Sequence, residues 1–267
     1  MKPSILYTIG SWSGSRAEIN FDDSYLEKHI ERLKKVAHNL TQISIGNPDN
    51  PSKREEFEEY IKSLSTINDV PVVVHDMPNI GRSYGQWSAI YEKYRTQFDY
   101  YIFVEDDYQP VLDNFDSVLV EMYEKKNCGY LCGLVLDETG RYAENIHKRH
   151  AGVSNGIASS AALEKVRDIF GFLPHDLEEY SNGQVLFSRA FLEAGMTIEE
   201  YIDTGEYRTL FFNHKNIAIY GPNKDAKDIF SPAQIEKKLK HIHVKESDRS
   251  LNPPPRRPNS RVIGKRR

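Results

Sequence analysis

Apolar residues fall into short, evenly spaced runs along the first hundred positions, and the stretches between them repeat at helical spacing. The run at 5–9 predicts a strand, followed by a Gly/Ser-rich loop, GSWSGS. Leu26, Ile30, Leu33, Ala37 and Leu40 then share one face of a helix, with Asp22, Asp23 and Ser24 as N-cap candidates. A second strand is predicted over 41–45 and is broken by GNPDNP; SKREEFEEYIKSL follows as a charged surface helix opened by Ser52. Residues 70–75 give a compact, Val-rich third strand, and NIGRSYGQW opens a third helix running to about Phe98. The apolar run at 100–104 completes the set. Strands alternating with helices in this way predict a parallel sheet with right-handed crossovers.

The second half is less regular. Phe115, Val118, Leu119 and Met122 predict an amphipathic helix, residues 129–136 a strand, and DETGRY a turn. A short strand at 156–160 leads into the helix ALEKVRDIF. Residues 184–194 form a further helix, stopped by Gly195 in the position that favours left-handed backbone. Residues 210–212 and 217–220 read as late strands, and no internal repeat is present. From 247 to 267 the chain turns Pro- and Arg-rich without a periodic apolar face, as a disordered basic tail does.

With 267 residues, 39% of them hydrophobic and 28% charged, the chain has the composition of a soluble globular protein with a sizeable core. A net charge of -4 argues against nucleic acid as a partner, and no apolar run approaches the ~20 residues of a membrane span. The opening MKPSILYTIGSWSG is too short for a signal peptide and reads as the first strand. Peripheral membrane contact is open only to the basic tail. Cys128 and Cys132 are the two cysteines. In a strand they would share a face too far apart for an easy disulfide, which suggests reduced thiols and a cytoplasmic location.

The chemistry concentrates in YYIFVEDDYQP, residues 100–110. A strand buried on both faces stops abruptly on Glu105, Asp106 and Asp107. Adjacent carboxylates at the mouth of a sheet repel one another unless a cation offsets them. Hard divalent cations prefer such oxygens and usually bring a substrate phosphate. The carboxyl edge of an open α/β sheet is also where such folds place ligands.

This order of elements, ending on the acidic triplet, resembles the GT-A glycosyltransferases, family 2-like members in particular. The resemblance covers roughly residues 4–195 and is strongest around the acidic strand. It implies an α/β fold with a mostly parallel central sheet and helices on both faces. One catalytic domain would span 1–246, with a nucleotide-sugar-binding half at 1–110 and an acceptor-binding half at 111–246. In that family a D-x-D motif holds Mn²⁺ or Mg²⁺ and the donor diphosphate. Here Glu105 and Asp107 would take the metal and Asp106 the donor, with Glu in place of the first Asp. Thr8, Ile9 and Gly10 occupy the place of the nucleobase contact, and Asp49 is a displaced candidate for the acid that reads the base. Gly81, Arg82 and Gly85 match a glycine-containing turn beside the diphosphate. His214 is the candidate for a further metal ligand from the C-terminal segment.

The acceptor half departs from the family pattern, because Asn182 and Gly183 stand where acids are expected ahead of Arg189. An inverting enzyme needs a carboxylate to take the proton from the acceptor hydroxyl. The acids nearest that helix are Glu179, Glu178 and Asp176, with Glu179 foremost. A retaining enzyme needs none, and the sequence does not choose. The expected activity is transfer of a sugar from a nucleotide-diphosphate sugar to a glycan or other hydroxyl acceptor. Two alternatives stand beside it: a sugar-phosphate nucleotidyltransferase, whose Gly-rich loop GSWSGSR matches only faintly, and a non-catalytic nucleotide- or metal-binding module. Sugar, base, acceptor and oligomeric state are not written in the sequence.

Overall fold

The computed structural model of the chain describes residues 2–11, 25–50, 55–133, 135–136, 150–151, 155–175, 183–201 and 210–213. The first part of the chain runs β1 (Ile5–Gly10), α1 (Tyr25–Leu33), β2 (Gln42–Pro48), α2 (Glu55–Ser63), β3 (Thr66–Ile67), β4 (Val70–Met77), α3 (Arg82–Tyr94) and β5 (Tyr100–Glu105). The remainder runs β6 (Tyr108–Pro110), α4 (Phe115–Lys126), β7 (Tyr130–Cys132), β8 (Val135–Leu136), β9 (His150–Ala151), β10 (Asn155–Ser159), α5 (Ser160–Phe170), α6 (Gly183–Glu193), β11 (Ile198–Glu200) and β12 (Phe211–Asn213).

Among the described residues, eight strands form one sheet in the order β11-β7-β10-β5-β1-β2-β4-β3. The predicted strands β4, β2, β1 and β5 lie side by side and parallel. The chain builds outward from β1 through β2 to β4, then returns to place β5 on the other side of β1. That reversal makes the gap between β1 and β5 a topological switch point. It also fixes the layers. Leu26, Ile30 and Leu33 of α1 and Phe57 and Ile61 of α2 pack with Ile5, Tyr7, Ile9, Ile43, Ile45, Ile102 and Val104 on one face. Trp87, Ile90 and Tyr91 of α3 pack with Leu6, Tyr101 and Phe103 on the other, where Leu163 of α5 and Phe187 and Phe191 of α6 join them. Alternate residues of β1 and β5 thus feed opposite cores, and both strands are buried along their length, as the unbroken apolar runs imply.

Several expectations are corrected. The first helix stops at Leu33 although Ala37 and Leu40 continue its spacing. Tertiary bonds claim that backbone instead: the Ala37 and Asn39 N–H groups donate to Asp113 (2.8 Å) and Asp116 (2.6 Å). Only residues 130–132 of the strand predicted at 129–136 join the main sheet; 135–136 pair with β9 in a separate two-stranded ladder. Cys128 and Cys132 are both free and buried, but they enter opposite cores because Cys128 precedes the strand. β10 inserts antiparallel beside β5, and β12 pairs with β6 across about a hundred residues. Gly195 has φ 72°, the left-handed helix stop its position predicts. Among the described residues no helix is long and apolar enough to cross a membrane. The tail at 247–267 and the strand expected at 217–220 lie outside the described residues, as do the N-cap candidates Asp22, Asp23, Ser24 and Ser52.

Candidate functional site

The acids stand at the switch point. β5 pairs with β1 in register up to Gly10 opposite Glu105. One residue further, the Asp106 N–H donates to the Gly10 carbonyl at 3.0 Å, so the ladder extends into the acidic turn. Asp106 and Asp107 are 8% and 4% exposed and Glu105 is half-buried. Strand β6 then carries the chain away, paired with β12. On the α1 face, His29 Nδ1 lies 3.2 Å from the Asp106 carbonyl and Nε2 lies 2.9 Å from the Tyr7 hydroxyl.

Helix α3 closes the other side. It starts on two consecutive left-handed residues, Gly81 (φ 70°) and Arg82 (φ 53°), the second an uncommon conformation for a residue with a Cβ. The chain folds so tightly here that a Cβ on Gly85 would lie 1.8 Å from the Ile80 carbonyl oxygen. His175, arriving from the later half, would lie 3.4 Å from that same Cβ. Ser83, the second residue of the helix, donates its hydroxyl to Glu105 at 2.9 Å. Gln86 grips Ser11 at both ends of its amide: the Ser11 N–H donates to Oε1 and Nε2 donates to the Ser11 carbonyl, each at 2.9 Å. The strands below are glycine where the helix crosses them. A Cβ on Gly10 would sit 2.7 Å from the Ser83 Cβ, and one on Gly46 2.1 Å from Gln86 Oε1.

Of the sequence-predicted donor residues, Gly10, Gly81, Arg82, Gly85 and Asp106 line this one corner. Thr8 and Ile9 are fully buried within the sheet, Ile9 in the α1-side core. Within β1, Gly10 is therefore the residue that reaches the carboxyl edge, with Ser11 just beyond it. Asp49 is exposed on the same edge two strands away, where its N–H donates to the Met77 carbonyl at 2.8 Å. Trp87 is core, as its helix position implies. Asp176, Glu178, Glu179 and His214 lie outside the described residues.

Sequence reading missed Ser83, Gln86, Tyr7 and His29, whose partners are 22 to 77 residues away. It also missed Asn47, 1% exposed, which donates to Asp76 at 2.6 Å and to Glu58 at 3.3 Å. His29 alone left a trace, a polar residue inside the apolar stripe Leu26, Ile30, Leu33. Nearby, burial and the Lys93 ammonium, 3.3 Å from Nδ1, push His75 down to about 4 against the opposing pull of Asp76. His75 Nε2 lies 3.2 Å from Ser44 Oγ beneath the same edge.

Among the described residues, no three His, Cys, Asp or Glu side chains come together as a complete metal-ligand set. The acidic turn suits a harder requirement: Mg²⁺-like ions take one or two carboxylates and complete their shell with substrate phosphate and water. Glu105 and Asp107 are the residues that would hold such an ion.

No protein-family model and no curated protein matches the chain. Among solved structures, it is similar to a CMP:2-keto-3-deoxy-manno-octonic acid synthetase complexed with CTP, at 13% identity over 92% of this chain and 100% of that one, with a TM-score of 0.46. A Bacillus anthracis protein bearing the name glucose-1-phosphate thymidylyltransferase, in complex with a sucrose, gives 11% identity over 89% and 95% of the two chains and a TM-score of 0.48. HddC from Yersinia pseudotuberculosis gives 11% identity over 90% and 99%, with a TM-score of 0.43. The α/β architecture, with a mostly parallel sheet and helices on both faces, stands on this chain's own strand order and packing.

Proposed function

We propose that this chain is an enzyme that binds a nucleotide phosphate at the β1–β5 switch point and transfers a group of a nucleotide-linked sugar. The observation that carries the reading is the position of Glu105, Asp106 and Asp107, at the carboxyl end of a central parallel strand, across from the amino end of α3. Gly10 and Gly85 let α3 pack directly onto the end of β1 and its own entry turn, Gly81 makes the left-handed turn that opens the helix, and exposed Arg82 supplies positive charge at the same corner. A divalent cation held there would neutralise charge on the departing phosphate.

Two reactions fit that corner. In the first, a sugar moves from a nucleotide diphosphate to a hydroxyl acceptor: the glycosidic C–O bond to the phosphate breaks, a new one to the acceptor oxygen forms, and the acceptor proton is released. This is the reaction the sequence resemblance implies. In the second, a sugar phosphate attacks the α-phosphate of a nucleoside triphosphate and pyrophosphate leaves. Nucleotidyl transfer to a sugar phosphate is what the name of the thymidylyltransferase describes, and the name of the synthetase describes the joining of CMP to a sugar acid. Glu179, Glu178 and Asp176 are the proposed proton acceptors of the first reaction, and His214 a proposed additional ligand of the metal.

The test is thermal unfolding with nucleoside triphosphates, diphosphates and nucleotide sugars, each with and without Mn²⁺ or Mg²⁺. A ligand at a hundred times its dissociation constant adds about 2.7 kcal/mol, an easily read shift. The expected result is a metal-dependent shift for one nucleotide base. Turnover then separates the reactions: release of nucleoside diphosphate from a nucleotide sugar marks glycosyl transfer, and release of pyrophosphate in the presence of a sugar phosphate marks nucleotidyl transfer. No shift with any member of the panel would overturn the reading.

A further inference from the structure

The acidic turn is held from below by a buried chain of hydrogen bonds that no step of the proposed reaction uses. His29 of α1 is completely buried on the α1 face of the sheet, within the stripe formed by Leu26, Ile30 and Leu33. Its Nδ1 faces the main-chain carbonyl of Asp106 at 3.2 Å. A carbonyl only accepts, so Nδ1 must carry the proton. In the neutral ring Nε2 is then bare and accepts from the Tyr7 hydroxyl at 2.9 Å. Burial holds that hydroxyl well above its usual range, so Tyr7 keeps the proton it donates. Tyr7 is fully buried on β1, three residues before the Gly10 carbonyl that receives the Asp106 N–H at 3.0 Å. Both polar atoms of the Asp106 peptide side are therefore tied to the β1–α1 unit: its N–H directly, its C=O through His29 and Tyr7.

We propose that His29, locked in its Nδ1–H form by Tyr7, is a positioning residue that sets the main chain of the Glu105–Asp107 turn for cation and phosphate binding. This rests on the functional reading above. The geometry gives the role its content. Asp106 lies between the two carboxylates that would hold the cation; its N–H belongs to the peptide shared with Glu105 and its C=O to the one shared with Asp107, so loosening either bond re-aims the neighbour on that side. Outer partners of this kind commonly change metal affinity by ten- to a hundredfold. An apolar side chain at position 29 would fill the core but take this partner from two buried polar groups, the Asp106 carbonyl and the Tyr7 hydroxyl.

Two readouts on the full chain test this. Nitrogen-15 correlation spectra of the imidazoles, with the His29 signals assigned by their loss in His29→Asn, should show a protonated Nδ1 and a bare Nε2. A proton on Nε2 with a bare Nδ1 would overturn the proposal. Calorimetric binding of the best nucleotide diphosphate with Mn²⁺ then compares His29→Leu, His29→Asn and Tyr7→Phe, each checked for folding by circular dichroism. The expected losses are about tenfold or more for His29→Leu and smaller for Tyr7→Phe. His29→Asn should recover most of the affinity, because its amide can donate where Nδ1–H did. If His29→Leu does not fold, Tyr7→Phe carries the binding arm, and an unchanged affinity in it overturns the proposal. Wild-type protein that binds no nucleotide with any metal removes the functional reading itself. Wild-type binding with unchanged affinity in both folded variants removes only the role of His29.

Discussion

The two edges of the sheet use carboxylates in opposite ways. At the amino edge, acidic side chains hold main chain. Asp99 accepts from the Ser4 N–H and hydroxyl at 2.7 and 2.8 Å, Asp113 from Ala37 N–H, and Asp116 from Asn39 N–H. Those bonds close the entrances to β1 and β2 and hold Asp99 below the usual carboxylate range. At the carboxyl edge the relation is inverted: main chain is held so that acids are presented. Asp106 is anchored through its own N–H to Gly10 and through its carbonyl to His29. An acid next to a strand therefore says little until one knows which of its atoms are engaged. Asp99 enters its strand and Asp107 leaves one, and that order along a parallel strand separates a cap from a candidate site.

The sharpest way to break this comparison is to fill the carboxyl edge. Gly85→Ala places a methyl against the Ile80 carbonyl and should cost about 3 kcal/mol in urea unfolding, with nucleotide binding lost. Gly171→Ala is the contrast: its φ of 81° is left-handed, unlike that of Gly85, but no atom lies within 4 Å of the added methyl, so only backbone strain of about 1 kcal/mol is expected. Equal costs would mean the packing at Gly85 relaxes.

Exchanging the two kinds of acid comes next. Asp107→Ala should reduce metal-dependent nucleotide binding at least about tenfold, while the unfolding midpoint barely moves. Asp116→Ala should do the reverse, leaving binding intact and costing about 2 kcal/mol for the charge-assisted bond it loses. Matching stability losses, with binding kept in both, would dissolve the distinction.

A smaller effect should appear in acid. The unfolded His75 ionises near its ordinary 6.5 and the folded one near 4. As pH falls through that window the unfolded chain takes up a proton that the fold refuses, so stability is full above it and declines within it. Subtracting the pH profile of His75→Gln from that of the wild type should isolate the decline; a flat difference would remove His75 as its source. Least of all, Tyr100→Phe deletes an exposed 2.6 Å bond to Glu124 at the amino edge. It should cost under about 1 kcal/mol and leave nucleotide binding unchanged.

Strands β1, β2 and β5 were legible because they are buried on both faces and so are mostly apolar, in the runs ending at Ile9, Ile45 and Val104, whereas half-buried β4 showed itself by its valines. The acids were legible because nothing in a core calls for three carboxylates in succession. What stayed hidden depends on partners far apart in the chain. Leu33 ends its helix because Asp113 and Asp116 claim the next backbone, and no local pattern announces that. Strand β12 pairs with β6 from a hundred residues away, and Gln86 finds Ser11 across 75. The glycines Gly10 and Gly46 look like turn residues in sequence but are points of contact between helix and strand. Thr8 and Ile9, credited with a nucleobase contact, are enclosed within the sheet by the same burial on both faces that made their strand legible.

The clasp between Gln86 and Ser11 has a mechanical consequence. One side-chain amide bonds a strand's exit as another strand would, while the two glycines beneath it leave no slack between helix and sheet. Helix α3, the end of β1 and, through Ser83, the Glu105 carboxylate form a single rigid corner. A ligand bound at the switch point, as proposed above, would meet a surface that has been set before it arrives.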